Sequence, residues 1–156
     1  MAKFPLEDSF GILVSDVSRL MRKEFDRRVR GTGLSRAQWG VIIQLSRFEG
    51  INQATLADLM DVEPISLVPL LDKLQSAGIV ERRPDPNDRR AYRLFLSEKS
   101  APLLEQLEVI ASDFRAEMMA GISDETQSQL IDALLTVKAN LTKKPVAELK
   151  RAVGHE

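Results

Sequence analysis

The spacing of apolar residues changes once along this chain, and that change constrains the fold more than any other feature. Over most of the sequence, apolar residues recur every three or four positions, which predicts amphipathic helices. Between Gly78 and Ser97 the pattern differs, because Tyr92, Leu94 and Leu96 occupy every second position, as on the inner face of a strand. We therefore predict a mainly α-helical fold with one small β-hairpin.

Capping residues mark where several helices begin. Ser35 and Gln38 have the spacing of a capping box, in which each side chain accepts a hydrogen bond from the other residue's backbone amide. Asn52 can cap a short helix, and Pro64 suits the first position of the next one. Further helices are predicted from apolar stripes that run through residues 10–30, 98–120 and 123–141.

A tight turn at residues 61–63 joins the short third helix to the fourth. The leucines of the fourth helix form its core stripe, and the opposite, outward stripe is formed by Ser66, Pro69 and Lys73. Such a pair is a helix-turn-helix, whose second helix can lie in a DNA major groove. Residues 79–83 then predict a strand and residues 84–88 a turn, so the pair is followed by an arginine-rich hairpin.

Positive charge is concentrated in two short segments, although the chain as a whole carries −1. Residues 19–30 sum to +4 and residues 79–96 to +2. One interpretation is that both segments are solvated surfaces. A helix-turn-helix followed at once by a basic hairpin favours DNA binding instead, because hairpin arginines can contact phosphates and enter a minor groove.

The chain lacks the side chains that many enzymes and metal sites require. It has no cysteine, which excludes disulfides, thiolate zinc sites and cysteine nucleophiles. The single histidine, His155, lies near a terminus, where chains are usually mobile, and no nucleotide-binding glycine fingerprint is present. We predict a protein that is not an enzyme and that binds no metal or cofactor. The sequence has no membrane-spanning segment, so the cytoplasm is the expected location.

The hairpin tip reads DPNDRRA at residues 85–91. Together with the run that begins LSRAQWGVIIQLS at Leu34 and continues to Ser97, this motif closely resembles the MarR family of winged-helix transcriptional regulators. The resemblance extends over nearly the whole chain. It implies a homodimer, a palindromic double-stranded DNA operator and, often, repression that is relieved by a small aromatic or phenolic effector.

The resemblance also implies roles for single residues. Arg90 matches the arginine at the tip of the hairpin, or wing, that enters the minor groove. Asp88 matches the acid that fixes this wing through a salt bridge. Ser66 matches a polar contact of the recognition helix, which is the second helix of the helix-turn-helix. The predicted DNA-binding residues are Gln53, Ser66, Pro69, Lys73, Arg82, Arg83, Asp88, Arg89 and Arg90.

Pro69 departs from the family pattern, which commonly has an arginine at this position of the recognition helix. A proline inside a helix removes a backbone hydrogen bond and costs roughly 3 kcal/mol. Because proline stands in place of this arginine, the side chain that most often pairs with guanine is also absent. We expect shape readout by Arg90 and phosphate contacts to carry more of the binding, and the sequence leaves open whether Pro69 weakens or adapts major-groove readout.

A ligand pocket is predicted between the helical arms and the DNA-binding part. Its candidate residues are Met21, Trp39, Ile43 and Met118. The alternative is that the tryptophan and the methionines are core packing. The arginines of the first helix have two interpretations as well: they hold a ligand carboxylate, or they are solvated or form ion pairs between subunits.

The predicted organisation has four parts. Residues 1–33 form a dimerisation helix, residues 34–97 the winged helix-turn-helix, residues 98–145 further dimerisation helices, and residues 146–156 a tail. The apolar stripes that flank the compact DNA-binding part are expected to pack against a second copy. The alternative function is a dimeric ligand- or protein-binding protein with weak or lost DNA recognition, for which Pro69 is the only argument.

Overall fold

The structure, a computed structural model, describes the backbone of residues 9–153 and the side chains of residues 9–150. Its helices are α1 (Phe10–Val29), α2 (Arg36–Arg47), α3 (Gln53–Met60), α4 (Pro64–Ser76), α5 (Ala101–Met118), α6 (Asp124–Thr142) and α7 (Val146–Val153). Its strands are β1 (Ile51–Asn52), β2 (Val80–Pro84) and β3 (Tyr92–Leu96). The mainly helical fold with a small hairpin is thus confirmed, and His155 lies outside the described residues.

The predicted caps are formed at two helix starts, and a third helix begins at the predicted proline. Ser35 Oγ accepts from the Gln38 amide at 3.2 Å, and the Gln38 side chain accepts from the Ser35 amide at 2.9 Å, which completes the capping box of α2. Asn52 Oδ1 accepts from the Thr55 amide at 2.8 Å at the start of α3. Pro64 is the first residue of α4, where its missing amide hydrogen leaves no acceptor unsatisfied.

The sheet is antiparallel, with the strand order β1-β3-β2. The hairpin register pairs Arg83 with Arg93 and Pro84 with Tyr92, and Leu94 is buried at the base of the sheet. Leu96 is half-buried against the core. The prediction that Tyr92 also faces inward is wrong: its side chain is 54% exposed, because the hairpin extends beyond the core at that point.

One hydrophobic core holds the helix-turn-helix and the sheet together. It includes Trp39 and Ile42 of α2, Leu56 of α3 and Leu94 of β3, all at most 1% exposed. The core side of α4 is formed by Leu67, Leu71 and Leu74. Since these leucines recur at steps of three and four residues, the opposite side of α4 is left for other contacts.

The chain divides into two compact units, with the boundary between Ser112 and Asp113 inside α5. In the second unit, α7 packs on α6, and the Lys150 ammonium lies 2.7 Å from Asp132 Oδ1. Leu135 and Leu149 are both buried. The predicted tail, residues 146–156, thus contains a helix over residues 146–153. None of the described helices combines the length and the apolar composition that a membrane span requires.

Candidate DNA-binding surface

The turn between α3 and α4 fixes how the two helices meet. Asp61 adopts a left-handed conformation with φ +53°, and the Val62 amide donates to the Ala57 carbonyl at 3.1 Å. Gln53 Nε2 donates to the Pro64 carbonyl at 2.8 Å, which connects the start of α3 to the start of α4. Gln53 thus has a partner within the protein, and its contact with DNA stays a prediction.

The outward side of α4 carries the predicted stripe. Ser66, Pro69 and Lys73 are all exposed, whereas the leucines between them are buried or half-buried. The helix continues through Pro69, whose ring faces away from the core. Because Pro69 has no amide hydrogen, it cannot donate to the carbonyl of Ile65. The outward position confines this loss to the surface, as the sequence predicts.

The hairpin of β2, β3 and residues 85–91, here called the wing, is attached to α4 through Arg82. Arg82 Nη1 lies 2.8 Å from Asp72 Oδ1 and also donates to the Gln75 side chain. Arg83 pairs with Glu81 at 2.8 Å and lies over the Phe95 ring, 4.2 Å from its centre. Arg82 and Arg83, both predicted to contact DNA phosphates, are thus engaged within the protein, and the contacts of Arg82 hold the wing beside α4.

A network of short-range contacts orders the tip of the wing. Arg93 Nε lies 2.7 Å from Asp85 Oδ2, and Asp85 Oδ1 also accepts from the Asn87 amide at 2.8 Å. Asp88 Oδ1 accepts from the Arg90 amide at 2.9 Å. Among the described residues the salt bridge implied for Asp88 is not formed. The ion pair within the wing joins Asp85 and Arg93, and Asp88 shapes the turn that presents Arg90.

Three of the predicted DNA contacts have no ion-pair or hydrogen-bonding partner for their cationic groups among the residues that the structure describes. They are Lys73 on α4 and the two arginines at the wing tip, Arg89 and Arg90, and all three are exposed. The turn before α4 has the opposite charge, since Asp61 and Glu63 are exposed there. Phosphate contacts are therefore favoured at the wing and along α4 rather than at the turn.

The sequence and the fold of this chain are both similar to those of known proteins. The sequence model of the MarR family matches residues 34–92. The chain is 37% identical to the transcriptional regulator PA3341, whose crystal structure superposes with a TM-score of 0.79 over 87% of this chain and 100% of that one. The chain belongs to the MarR family.

Other members confirm the fold of this MarR-family regulator. A MarR transcriptional regulator from Methanosarcina mazei Go1 is 27% identical, with a TM-score of 0.77 over 85% of this chain and 96% of that one. CouR from Rhodococcus jostii RHA1, crystallised with p-coumaroyl-CoA, is 27% identical, with a TM-score of 0.76 over 86% and 95% of the two chains. A further solved structure contains the transcriptional repressor CouR bound to a 23-mer DNA duplex.

The predicted ligand residues of this MarR-family protein differ in accessibility. Trp39 is completely buried, and its indole Nε1 donates to Thr32 Oγ1 at 3.0 Å. Ile43 is half-buried against the core, Met21 is exposed on α1, and Met118 is half-buried at the end of α5. The burial of Trp39 favours the core-packing interpretation for that residue, and the ligand pocket stays a prediction.

Several arginines in the basic segment of α1 have partners on the same helix. Arg19 pairs with Asp16 at 3.3 Å, and Arg22 donates to Ser18 Oγ at 2.6 Å. Hydrogen bonds from Arg27 and Arg28 lower the pKa of Glu24 from its usual 4.5 to about 2. These contacts lie within one helix and engage several of its arginines without a ligand, so they disfavour a carboxylate site. Ion pairs between subunits stay a prediction. No three acidic or histidine side chains among the described residues are placed to hold a metal ion.

The ion pair in the wing gives a titration that can be measured. The hydrogen bond from Arg93, with a second one from the Asn87 amide, lowers the pKa of Asp85 below its usual value. Because the folded-state pKa is lowered, the pair stabilises the wing fully above the usual pKa of aspartate, and this contribution is lost as the pH falls through the lowered value. We expect Arg93→Gln to return the pKa of Asp85 towards its usual value, measured by carboxyl NMR.

Arg89→Gln is the matched control for this measurement, because Arg89 has no contact with Asp85 among the described residues. It should leave the titration of Asp85 unchanged. An Asp85 carboxyl that titrates at the same pH in Arg93→Gln as in the wild type would contradict the assignment of the wing's ion pair.

Proposed function

We propose that this MarR-family regulator is a cytoplasmic repressor that binds a palindromic operator as a homodimer and is released by a small aromatic or phenolic effector. Residues 34–97 would contact DNA, and residues 1–33 and 98–145 would form the dimer. The observation that carries the proposal is the pair of exposed arginines at the wing tip, Arg89 and Arg90, on a hairpin held against α4 by Arg82. Cations in this position suit DNA phosphates and a narrow minor groove.

The effector class is supported by a relative. CouR was crystallised with p-coumaroyl-CoA, whose acyl group is phenolic. A ligand that binds only the folded protein raises its unfolding temperature. Screening small aromatic acids and their CoA thioesters for such a shift would therefore find the effector, and a true effector should also reduce DNA binding.

A mobility shift tests the DNA-binding part of the proposal. The probe is the DNA upstream of the protein's own coding sequence, compared with a scrambled duplex of the same base composition at several salt concentrations. We expect preferential binding of the upstream duplex that weakens as salt increases, because phosphate contacts release counterions. Equal binding of both duplexes at every salt concentration would favour the alternative of a ligand- or protein-binding dimer without sequence-specific recognition.

Dimerisation is supported by apolar side chains that a single chain leaves in water. On α1 these include Leu13, which is 63% exposed, Val17 and Leu20, and on α6 they include Leu130 and Leu134. An exposed apolar stripe on a helix is typical of an interface. We expect light scattering at micromolar concentration to give twice the mass of one chain, and Val17→Glu to weaken the dimer by placing a charge in the interface.

Ser15→Glu is the matched control for the dimer, because it adds the same charge to α1 about 200° around the helix from Val17. It should leave the mass doubled. A wild-type protein that is monomeric and folded at micromolar concentration would refute the homodimer, and equal behaviour of the two variants would remove this side of α1 from the interface.

A further inference from the structure

The N-terminal half of α4 presents apolar side chains on its outward side. Ile65, the second residue of the helix, is 76% exposed, and Pro69 is exposed one turn further on. Residues four positions apart share one side of a helix. Val62, in the turn before α4, is also 39% exposed. Ser66 supplies the one hydroxyl among these side chains.

These apolar side chains are not needed by the core. Leu67, Leu71 and Leu74 fill the buried side of α4 and are fully enclosed. Isolated apolar residues are common on protein surfaces, so exposure alone carries no conclusion. What distinguishes this patch is its position: it lies on the helix to which Arg82 attaches the basic wing, and Lys73 continues the same side of α4.

The position of the patch identifies what it would meet. In a helix-turn-helix, the first residues of the second helix contact base edges in the major groove. Ile65 and Pro69 have no side-chain donor or acceptor, so they cannot pair with the polar groups of the base edges. The apolar group that a base edge presents in the major groove is the 5-methyl group of thymine.

We propose that Ile65 and Pro69 select thymine by packing against its 5-methyl group in the major groove. This inference rests on the proposed function and adds the base that the site prefers. Pro69 is then an adapted part of the recognition surface and not a lost guanine contact. Burial of one methyl group against an apolar side chain corresponds to about fourfold in affinity, by the transfer free energy of a single carbon.

Substitution on the DNA tests the proposal directly. The wild-type protein first selects its preferred duplexes from a randomised library, and each thymine of a selected duplex is then replaced by deoxyuridine, which lacks only the methyl group. We expect one or two thymines in each half-site at which this replacement weakens binding about fourfold. In Ile65→Ala or Pro69→Ala, the affinity difference between thymine and deoxyuridine at those positions should disappear.

Two controls separate this contact from other effects. Both side chains are exposed and alanine is a better helix former than either, so the variants should unfold at the wild-type temperature or above it. Arg90→Ala should weaken binding of thymine and deoxyuridine duplexes by the same factor, because it acts at the wing.

The failures are distinguishable. Selection that enriches no sequence would refute sequence-specific DNA binding, and the proposed function would fall together with this inference. An enriched site that is indifferent to deoxyuridine at every thymine would refute the inference alone. So would a site whose sensitivity persists in both Ile65→Ala and Pro69→Ala, because other residues would then contact the methyl group.

Discussion

Replacing Trp39 with alanine is expected to lower the free energy of unfolding by about 3–5 kcal/mol, the usual range for a large aromatic residue in a core. Trp39 is 0% exposed, and its indole N–H has a partner in Thr32, so the replacement removes both the packing and a hydrogen bond. Urea denaturation at one fixed protein concentration measures the change, because the stability of a dimer depends on concentration.

Two aromatic variants make this result specific to burial. Trp39→Phe keeps most of the ring volume but removes the hydrogen bond, so we expect a smaller loss of about 1–2 kcal/mol. Tyr92→Ala removes an aromatic ring that is 54% exposed and should change stability by less than about 0.5 kcal/mol. If Trp39→Ala were as mild as Tyr92→Ala, the core assignment would be wrong and the ligand pocket would become the better interpretation of Trp39.

Arg90→Ala is expected to weaken operator binding by about 1–3 kcal/mol, which is roughly 5-fold to 150-fold. Arg90 is exposed, and its guanidinium group has no ion-pair or hydrogen-bonding partner among the described residues, so the substitution breaks no such contact. The fold and the unfolding temperature should therefore be unchanged. Fluorescence anisotropy with a labelled operator duplex measures the affinity, and the loss should be largest when the duplex has an A·T-rich, narrow minor groove.

Arg19→Ala is the matched control, since it removes an exposed arginine from α1 and should leave operator affinity unchanged. Asp85→Ala should weaken binding nearly as much as Arg90→Ala, because it breaks the ion pair with Arg93 that orders the wing. Asp88→Ala should have a smaller effect, since it removes one turn hydrogen bond. Unaltered affinity in both Arg90→Ala and Asp85→Ala would remove the wing from DNA binding.

Features that depend on neighbouring residues could be predicted from the sequence. The capping box of Ser35 and Gln38 and the cap at Asn52 are complete within four residues, so the order of residue types was sufficient to find them. The two sides of α4 follow from the helical repeat in the same way. The DPNDRRA motif identified both the wing and the family.

Features that depend on distant residues could not be predicted. Strand β1 has only two residues, and its signal is its pairing with Leu94 and Arg93 across the sheet. Helix α7 is stabilised by contacts with α6, including Asp132, and its own sequence is short. Tyr92 belongs to the alternating pattern of Leu94 and Leu96, but that pattern does not show where the core ends.

In the candidate DNA-binding surface, too, local features could be predicted from the sequence and contacts between distant residues could not. The sequence placed Ser66, Pro69 and Lys73 on the outward side of α4 and put the arginines at the hairpin. Which arginines have partners within the protein could not be predicted from the sequence. The ion pair of Arg93 with Asp85 depends on the register of the hairpin, and the ion pair of Arg82 with Asp72 depends on how the hairpin packs on α4. Asp85 and Arg93 lie on the two sides of one predicted hairpin loop, and this spacing was the signal from which their ion pair could have been predicted. The exposure of Ile65 was not predicted, because an isoleucine near a helix start is usually interpreted as a core residue.

The separation of the two sides of α4 has a consequence for how such a regulator changes its targets over time. The leucines that hold α4 in place are enclosed, whereas Ile65, Ser66 and Pro69 contribute nothing to the core. Gene duplication followed by drift at these three positions can therefore produce copies with new binding-site preferences at little cost in stability. The same property makes α4 a suitable scaffold for laboratory evolution, in which a library randomised at the three positions samples DNA preference while most of its members remain folded.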